Sequence, residues 1–262
     1  MSTGPASHRV TNDLALSLVR SAGKIEGEIL DLGAGSGYLT RMLSEDRAHR
    51  GLRPGERLTA CDINDSSFFA DGVSFTRCDV NDGLPFPDSA FDAVVAIEVM
   101  EHTRAPYRVL GEIARVLRPD GVLIFSVPNV GHMLSRLAFV ASGHYQMFPS
   151  PSTKPENAGR LCGHIAPLPF QYWHYGLRAA GFTDISLHRD RMKKGAAALA
   201  VLLWPIVTLA TAAHLRELAK HDPPLYTETA EIARQSNSWT ALASRSLVFR
   251  AVKTGGSRTR SI

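Results

Sequence analysis

The sequence predicts an α/β fold on a largely parallel sheet, and three observations carry that prediction. Ile29 to Leu32 is an apolar strand that runs into the alternating glycines Gly33, Gly35 and Gly37 and then into a helical stretch. Two later strand-like runs each end in an acidic residue, Asp62 and Asp79. Ala93 to Ile97 is a β-branched run too short for a helix and apolar on both faces, as a central parallel strand must be.

Composition bounds the rest. A chain of 262 residues, 44% hydrophobic and 21% charged, suffices for one α/β domain with an insertion. The net charge of +4 is too mild to argue for nucleic acid, and part of it sits in the tail with Lys253, Arg258 and Arg260. Residues 254–262 are expected to be disordered. Cys61, Cys78 and Cys162 form no CxxC pair and no even-numbered framework, so reduced thiols, no structural zinc and a cytoplasmic setting are expected. Met1 to Ala15 lacks the apolar stretch of a signal peptide.

In chain order, residues 8–22 place Val10, Leu14, Leu18 and Val19 on one helical face, with Asn12 and Asp13 as start signals. This helix is expected to cover a cleft. The strand at 28–32 and its glycine turn follow, because glycine tolerates positive φ and allows close backbone approach. Leu39, Met42 and Leu43 give the next helix a buried stripe, which breaks near Gly51 and Pro54. Arg57 to Ile63 is the second strand. Asp62, at its end, has two readings: two hydrogen bonds to a vicinal diol, or a turn cap with Asn64 and Asp65. Val73 to Arg77 is the third strand and Ala93 to Ile97 the fourth. Residues 104–118 form a helix closed by Arg118-Pro119-Asp120-Gly121, and Val122 to Val127 is the fifth strand.

The glycine spacing separates two cofactor classes. A dinucleotide turn wants glycines at its first, third and sixth positions, and here the sixth is Tyr38. Asp31 followed by Gly33, Ala34, Gly35 and Gly37 instead resembles motif I of the class I S-adenosylmethionine-dependent methyltransferases. The resemblance covers about half of the chain, up to Pro128. It implies a Rossmann-like seven-stranded sheet, mostly parallel with an antiparallel last strand, and helices on both faces. It also implies S-adenosyl-L-methionine as cofactor, with Asp31 and the 33–37 loop around its aminoacyl end. Asp62 and Ile63 would then meet the ribose, Asp79 and Val80 the adenine, and Glu98, at the end of the fourth strand, would also bind the cofactor.

Glu98-Val99-Met100-Glu101-His102 follows that strand. A helical turn starting at Glu98 would put Glu98, Glu101 and His102 on one face. The pattern resembles two O-methyltransferase groups, those of ubiquinone biosynthesis and those of small-RNA 3′ ends, where a divalent ion holds the acceptor oxygens. This implies Mg2+ or Mn2+ on Glu98, Glu101, His102 and His164, with His102 or His164 as general base. The other reading is that Glu101 and His102 only shape the acceptor pocket.

Beyond Pro128 the text becomes individual. Asn129 to Val140 reads as a helix over the acceptor cleft, and 142–169 as a lid or substrate loop that includes His164. Pro169 to Ala180 is a helix, Phe182 to Leu187 the sixth strand and Arg245 to Val252 the seventh. Between those strands, Arg189, Arg191, Lys193 and Lys194 precede nineteen uncharged residues, 195–213. Pro205 and the flanking strands of one sheet argue against a membrane span. A helix on a membrane face, a lid and a dimerisation helix stay open.

The domain plan is therefore a cofactor-binding core over 1–128, an acceptor lid and helix over 129–181, and terminal strands over 182–253 with an apolar helix at 195–215. The expected activity is O-methylation of a small-molecule or lipid- or sugar-linked hydroxyl, in the cytoplasm or at the inner face of a membrane. Its alternatives are a metal-free N- or C-methyltransferase, an RNA 3′-end 2′-O-methyltransferase and a non-catalytic cofactor-binding scaffold. Expected contacts are the acceptor, a peripheral membrane contact through 189–215 and a homodimer.

Overall fold

The computed structural model describes residues 7–53, 55–64, 66, 68–154 and 163–255. The chain divides into two compact units. The first comprises Met1–Val127, Gly176–His188 and Val248–Ile262, and the second Pro128–Tyr175 and Arg189–Leu247.

The first unit is organised by a seven-stranded sheet: β1 (Ile29–Leu32), β2 (Leu58–Asp62), β3 (Ser74–Arg77), β4 (Phe91–Ile97), β5 (Leu117–Pro128), β6 (Phe182–Arg189) and β7 (Ser246–Lys253). Their order is β3-β2-β1-β4-β5-β7-β6, largely parallel, with β7 antiparallel. β1 pairs with β2 on one side and β4 on the other, both in parallel, so the order reverses at β1. In such sheets ligands sit outside the carboxyl ends of the strands at that reversal.

α1 (Arg9–Ser21) and α2 (Tyr38–Ala48) bury their apolar faces in one cluster with Ile29, Val95, Ile97, Ile124 and Val248. α1 thus spends its face on the sheet core. Its start differs from the expectation: His8 is the cap, its ring nitrogen accepting from Val10 N at 3.2 Å, and Val10 is exposed. Asn12 is buried instead, its amide donating to Ser7 Oγ and His8 O.

α3 (Pro106–Val116) begins with a proline at its first turn, where the missing N–H costs nothing. Its Arg115 donates to Leu84 O and Phe86 O, both at 2.8 Å, and so fastens the segment leading to β4. The expected stop at Arg118 to Gly121 lies inside β5. The register against β4 jumps from Phe91↔Leu117 to Ala93↔Val122, and this irregularity absorbs the four residues, with Asp120 at φ 60°.

A second correction concerns the cysteines. Cys61 and Cys78 form a disulfide, with 6.1 Å between their Cα atoms. Spacing along the chain hides this, because the parallel register Asp62↔Arg77 and the bond from Cys78 N to Asp62 O are what bring the two together. Cys162 and most of the tail lie outside the described residues.

The second unit is helical: α4 (Met133–Ser142), α6 (Lys194–His221), α7 (Pro223–Ser236) and α8 (Trp239–Ala243). Between α4 and α6 the chain also forms α5 (Phe170–Ala179). Met133, Ala200 and Leu242 are its packed centre, with Leu199, Leu203, Val207 and Trp239 around them. α4 starts four residues later than expected because Asn129 is otherwise employed. Its buried amide donates to Ala241 O at 2.7 Å and to Ser244 O at 2.9 Å. The excursion from β6 to β7 closes at its base: Met192 bridges Ser244, Lys193 N donates to Ala243 O and Arg245 N to Arg191 O.

Candidate functional site

The glycine turn lies at the carboxyl end of β1. Gly33, Gly35 and Gly37 have φ of +74°, +53° and +76°, which L side chains rarely adopt. A Cβ on Gly33 would stand 2.2 Å from Val99 Cγ2, so the turn is pressed against the segment after β4. On Gly35 a Cβ would meet nothing within 4 Å, which leaves that side open for a ligand. Gly33 N and Ala34 N both donate to Cys61 O, at 2.7 and 3.1 Å, and this ties the turn to β2.

Carboxylates surround the turn. Asp62 accepts from Gly35 N at 2.8 Å through Oδ2 and from Asn64 N at 3.1 Å through Oδ1. The cap reading is therefore part of its geometry, and the same carboxylate sets the shape of the glycine loop. Asp31 is buried, and Thr40 Oγ1 donates to it at 2.5 Å. Burial, and to a smaller degree the charge of Asp62, push its carboxyl up to about 6 against the pull of Thr40. Asp79 accepts from Asn81 N and Nδ2 and lies 4.0 Å from Arg104. Ile63 is exposed and Val80 half-buried. This cradle fits a charged nucleoside: open backbone on one side, carboxylates on successive strands on the other.

The Glu98 to His102 segment departs from the expected single helical face. Glu98 has φ 56°, and only Met100–His102 forms a short 3-10 turn. Glu98 is held by Ser126, whose Oγ accepts from Glu98 N at 3.1 Å and donates to Glu98 Oε1 at 3.0 Å. Glu101 is fully buried, and neither carboxyl oxygen has a hydrogen-bond partner among the described residues. Burial first, and the charge of Glu98 second, raise its carboxyl well above the usual range. A ligand atom of His102 lies within 4.8 Å of one on Glu101. An orphaned buried carboxyl beside an imidazole is a donor pair that a divalent ion fits.

His164 belongs to the second unit. It is buried, its Nδ1 lies 2.8 Å from Met147 O, and its ring packs on Phe148. A carbonyl can only accept, so in this pair Nδ1 is the donor. The same unit buries His132, which caps α4 by accepting from Ser135 N at 3.1 Å. Burial, followed by Lys193 and Arg136, lowers its pKa to about 4.

Thr40, Val99, Ser126 and His132 were not singled out from the sequence. Ser126 had a signal, as the one polar residue in the apolar run Val122 to Val127. Val99 acts through its approach to Gly33, far off in sequence, and Thr40 and His132 through side-chain bonds to Asp31 and Ser135 N that apolar periodicity does not report.

A family model described as a methyltransferase domain matches residues 30–125. The chain belongs to the class I S-adenosylmethionine-dependent methyltransferases. It is 30% identical over 192 residues to the 27-O-demethylrifamycin SV methyltransferase of Amycolatopsis mediterranei, covering 67% of this chain and 60% of that protein. Methyltransferase GfsG of Streptomyces halstedii is 32% identical over 185 residues, covering 69% and 62%. The chain thus spans about three fifths of the length of these two relatives. A solved S-adenosylmethionine-dependent methyltransferase from Archaeoglobus fulgidus shares the fold, with a TM-score of 0.53 at 15% identity over 92% of this chain and 94% of that one. Relatives of the chain include O-, N- and C-methyltransferases.

Proposed function

We propose that this methyltransferase moves a methyl group from S-adenosyl-L-methionine to a hydroxyl of a small-molecule acceptor, with Glu101 and His102 acting on the acceptor side. The observation that carries the reading is Glu101, a fully buried carboxyl with two unpartnered oxygens next to an imidazole.

The cofactor supplies a methyl carbon already activated by a sulfonium leaving group. The protein must therefore align two reactants and keep water out, an effect worth about 7–11 kcal/mol at its best. The 33–37 turn does the aligning on the cofactor side. Gly35 N is fixed by Asp62, Gly33 by contact with Val99, and Asp31 stands by to meet positive charge.

A hydroxyl acceptor must also lose its proton. Bound by Glu101 and His102, Mg2+ or Mn2+ would lower the acceptor pKa. His164, its Nδ1–H held by Met147 O, is proposed as a general base.

A second reading rests on the raised pKa of Glu101. Burial favours the neutral form of this carboxyl, which would donate a hydrogen bond and need no ion, and that suits a nitrogen or carbon acceptor. The discriminating experiment follows labelled methyl transfer into phenol, sugar-alcohol and amine acceptors with and without chelator, in the wild type and in Glu101→Gln. Loss of activity in chelator, its return with Mg2+ or Mn2+, and inactivity of Glu101→Gln support metal-assisted O-methylation. Indifference to chelator, with Glu101→Gln within about tenfold of the wild type, removes it in favour of the second reading.

A further inference from the structure

We propose that the solvent face of α6 docks this chain on an anionic lipid surface. Val201, Leu202, Ile206 and Leu209 are 65%, 73%, 63% and 71% exposed in the middle of a 28-residue helix. At about 100° per residue, Ala198, Val201, Leu202, Pro205, Ile206 and Leu209 fall on one arc of about 140°. The opposite arc, with Ala196, Ala200, Leu203 and Val207, holds the residues that are buried or packed in the second unit. α6 is thus amphipathic in an unusual sense: both faces are apolar, and only one is covered.

The charges at the two ends of that stripe decide what should cover it. Lys194 lies on the exposed arc at one end, and Arg216 and Lys220 lie on it at the other. The acid within α6, Glu217, stands at the rim and is engaged by His221 at 2.6 Å, and Asp222, just past its end, caps α7 by accepting from Leu225 N. An apolar centre with cations at both ends matches acyl chains flanked by anionic headgroups. A second copy matches poorly, because pairing α6 with α6 in either direction sets cations against cations. Trp204, 42% exposed, extends the face, and with Val201, Pro205 and Trp239 it lines an open apolar hollow. Tryptophan is favoured at headgroup depth.

α6 is long enough to cross a bilayer, with few charges in its apolar part. The fold argues against crossing. The excursion begins and ends at the clasp of Met192 with Ser244, and its flanking strands β6 and β7 are neighbours in one sheet. A span would put the returning chain on the far side, and α7, with its charged and polar residues, is no second span. The helix therefore lies along the surface.

The test is co-sedimentation of the full chain with vesicles of phosphatidylcholine alone and with added phosphatidylglycerol. It compares the wild type, Leu202→Gln/Leu209→Gln and Lys194→Gln/Arg216→Gln/Lys220→Gln, with calorimetric binding of S-adenosylhomocysteine as the control for folding. The expected result is binding that needs phosphatidylglycerol, falls in 0.5 M salt and weakens at least tenfold in both variants with cofactor affinity unchanged. Three results would overturn the proposal: no co-sedimentation of the wild type, co-sedimentation indifferent to both variants, or a wild-type dimer that Leu202→Gln/Leu209→Gln converts to a monomer without vesicle binding.

Discussion

The two units use apolar sequence in opposite ways. In the first, the run Ala93 to Ala96 is wholly buried, since a parallel sheet covered on both faces leaves no apolar side chain outside. In the second, a longer apolar run becomes a helix whose Leu202 and Leu209 face solvent. Hydrophobicity alone does not separate these outcomes; what the fold offers as neighbours does. The family match, residues 30–125, lies wholly in the first unit, where the neighbours follow from the sheet itself.

The largest effect should come from the tightest contact in the first unit. Gly33→Ala must place a Cβ against Val99 at positive φ, combining about 1–2 kcal/mol of backbone strain with about 1–3 kcal/mol of overpacking. Urea unfolding should show a loss of about 2–5 kcal/mol, and calorimetry should show roughly hundredfold weaker binding of S-adenosylhomocysteine. Gly35→Ala, with open space around its Cβ, should lose only the strain. Adding Val99→Ala to Gly33→Ala should recover part of the difference. Equal losses for both glycine variants, with no recovery, would show that the Val99 contact is not what makes Gly33 special.

This contrast also explains what the sequence made legible. All seven strands could be located, the central ones because β1, β4 and the run Val122 to Val127 report their burial in their own residues, while the partly exposed β3 was marked by the acidic residue that follows it. Arg118 to Gly121 misled because proline and glycine serve a strand irregularity as readily as a helix stop. The Cys61–Cys78 bridge was hidden because it depends on which strands are neighbours. The Glu98 face failed for a local reason: a single left-handed residue breaks the i, i+3, i+4 geometry. α6 was legible as a helix, but which of its faces is covered depends on α4 and α8, which lie far away in sequence.

A second comparison sets Asp31 against His132, one buried group per unit with opposite signs. Asp31 is raised to about 6 in the fold, so the unfolded chain ionises first as pH rises. Its cost is absent below the unfolded value near 4 and reaches about 3 kcal/mol above pH 6. His132 is lowered to about 4, so on acidification the unfolded chain takes up a proton first. Stability from that group falls by about 1.4 kcal/mol per pH unit between roughly 6.5 and 4, about 3 kcal/mol in all. Between pH 4 and 6 the two slopes oppose each other. Unfolding free energies measured across that window should show acid destabilisation steepening in Asp31→Asn and turning towards acid stabilisation in His132→Asn, which keeps the cap oxygen for Ser135 N. Parallel profiles for the wild type and both variants would remove the opposition.

The smallest expected effect is the sharpest test of the outward-facing stripe. Replacing a buried leucine by glutamine strands a polar amide and opens a cavity, at a cost of several kcal/mol. Replacing a solvent-facing leucine should change stability by no more than about 0.5 kcal/mol. Leu202→Gln and Leu209→Gln should therefore each leave the urea midpoint almost unmoved in dilute solution without lipid, whereas Leu242→Gln, in the packed centre of the same unit, should shift it strongly. A large loss at Leu202 or Leu209 would mean that this face is covered in the protein in solution. The contrast between an inward-facing first unit and an outward-facing second one would then fail at its most exposed point.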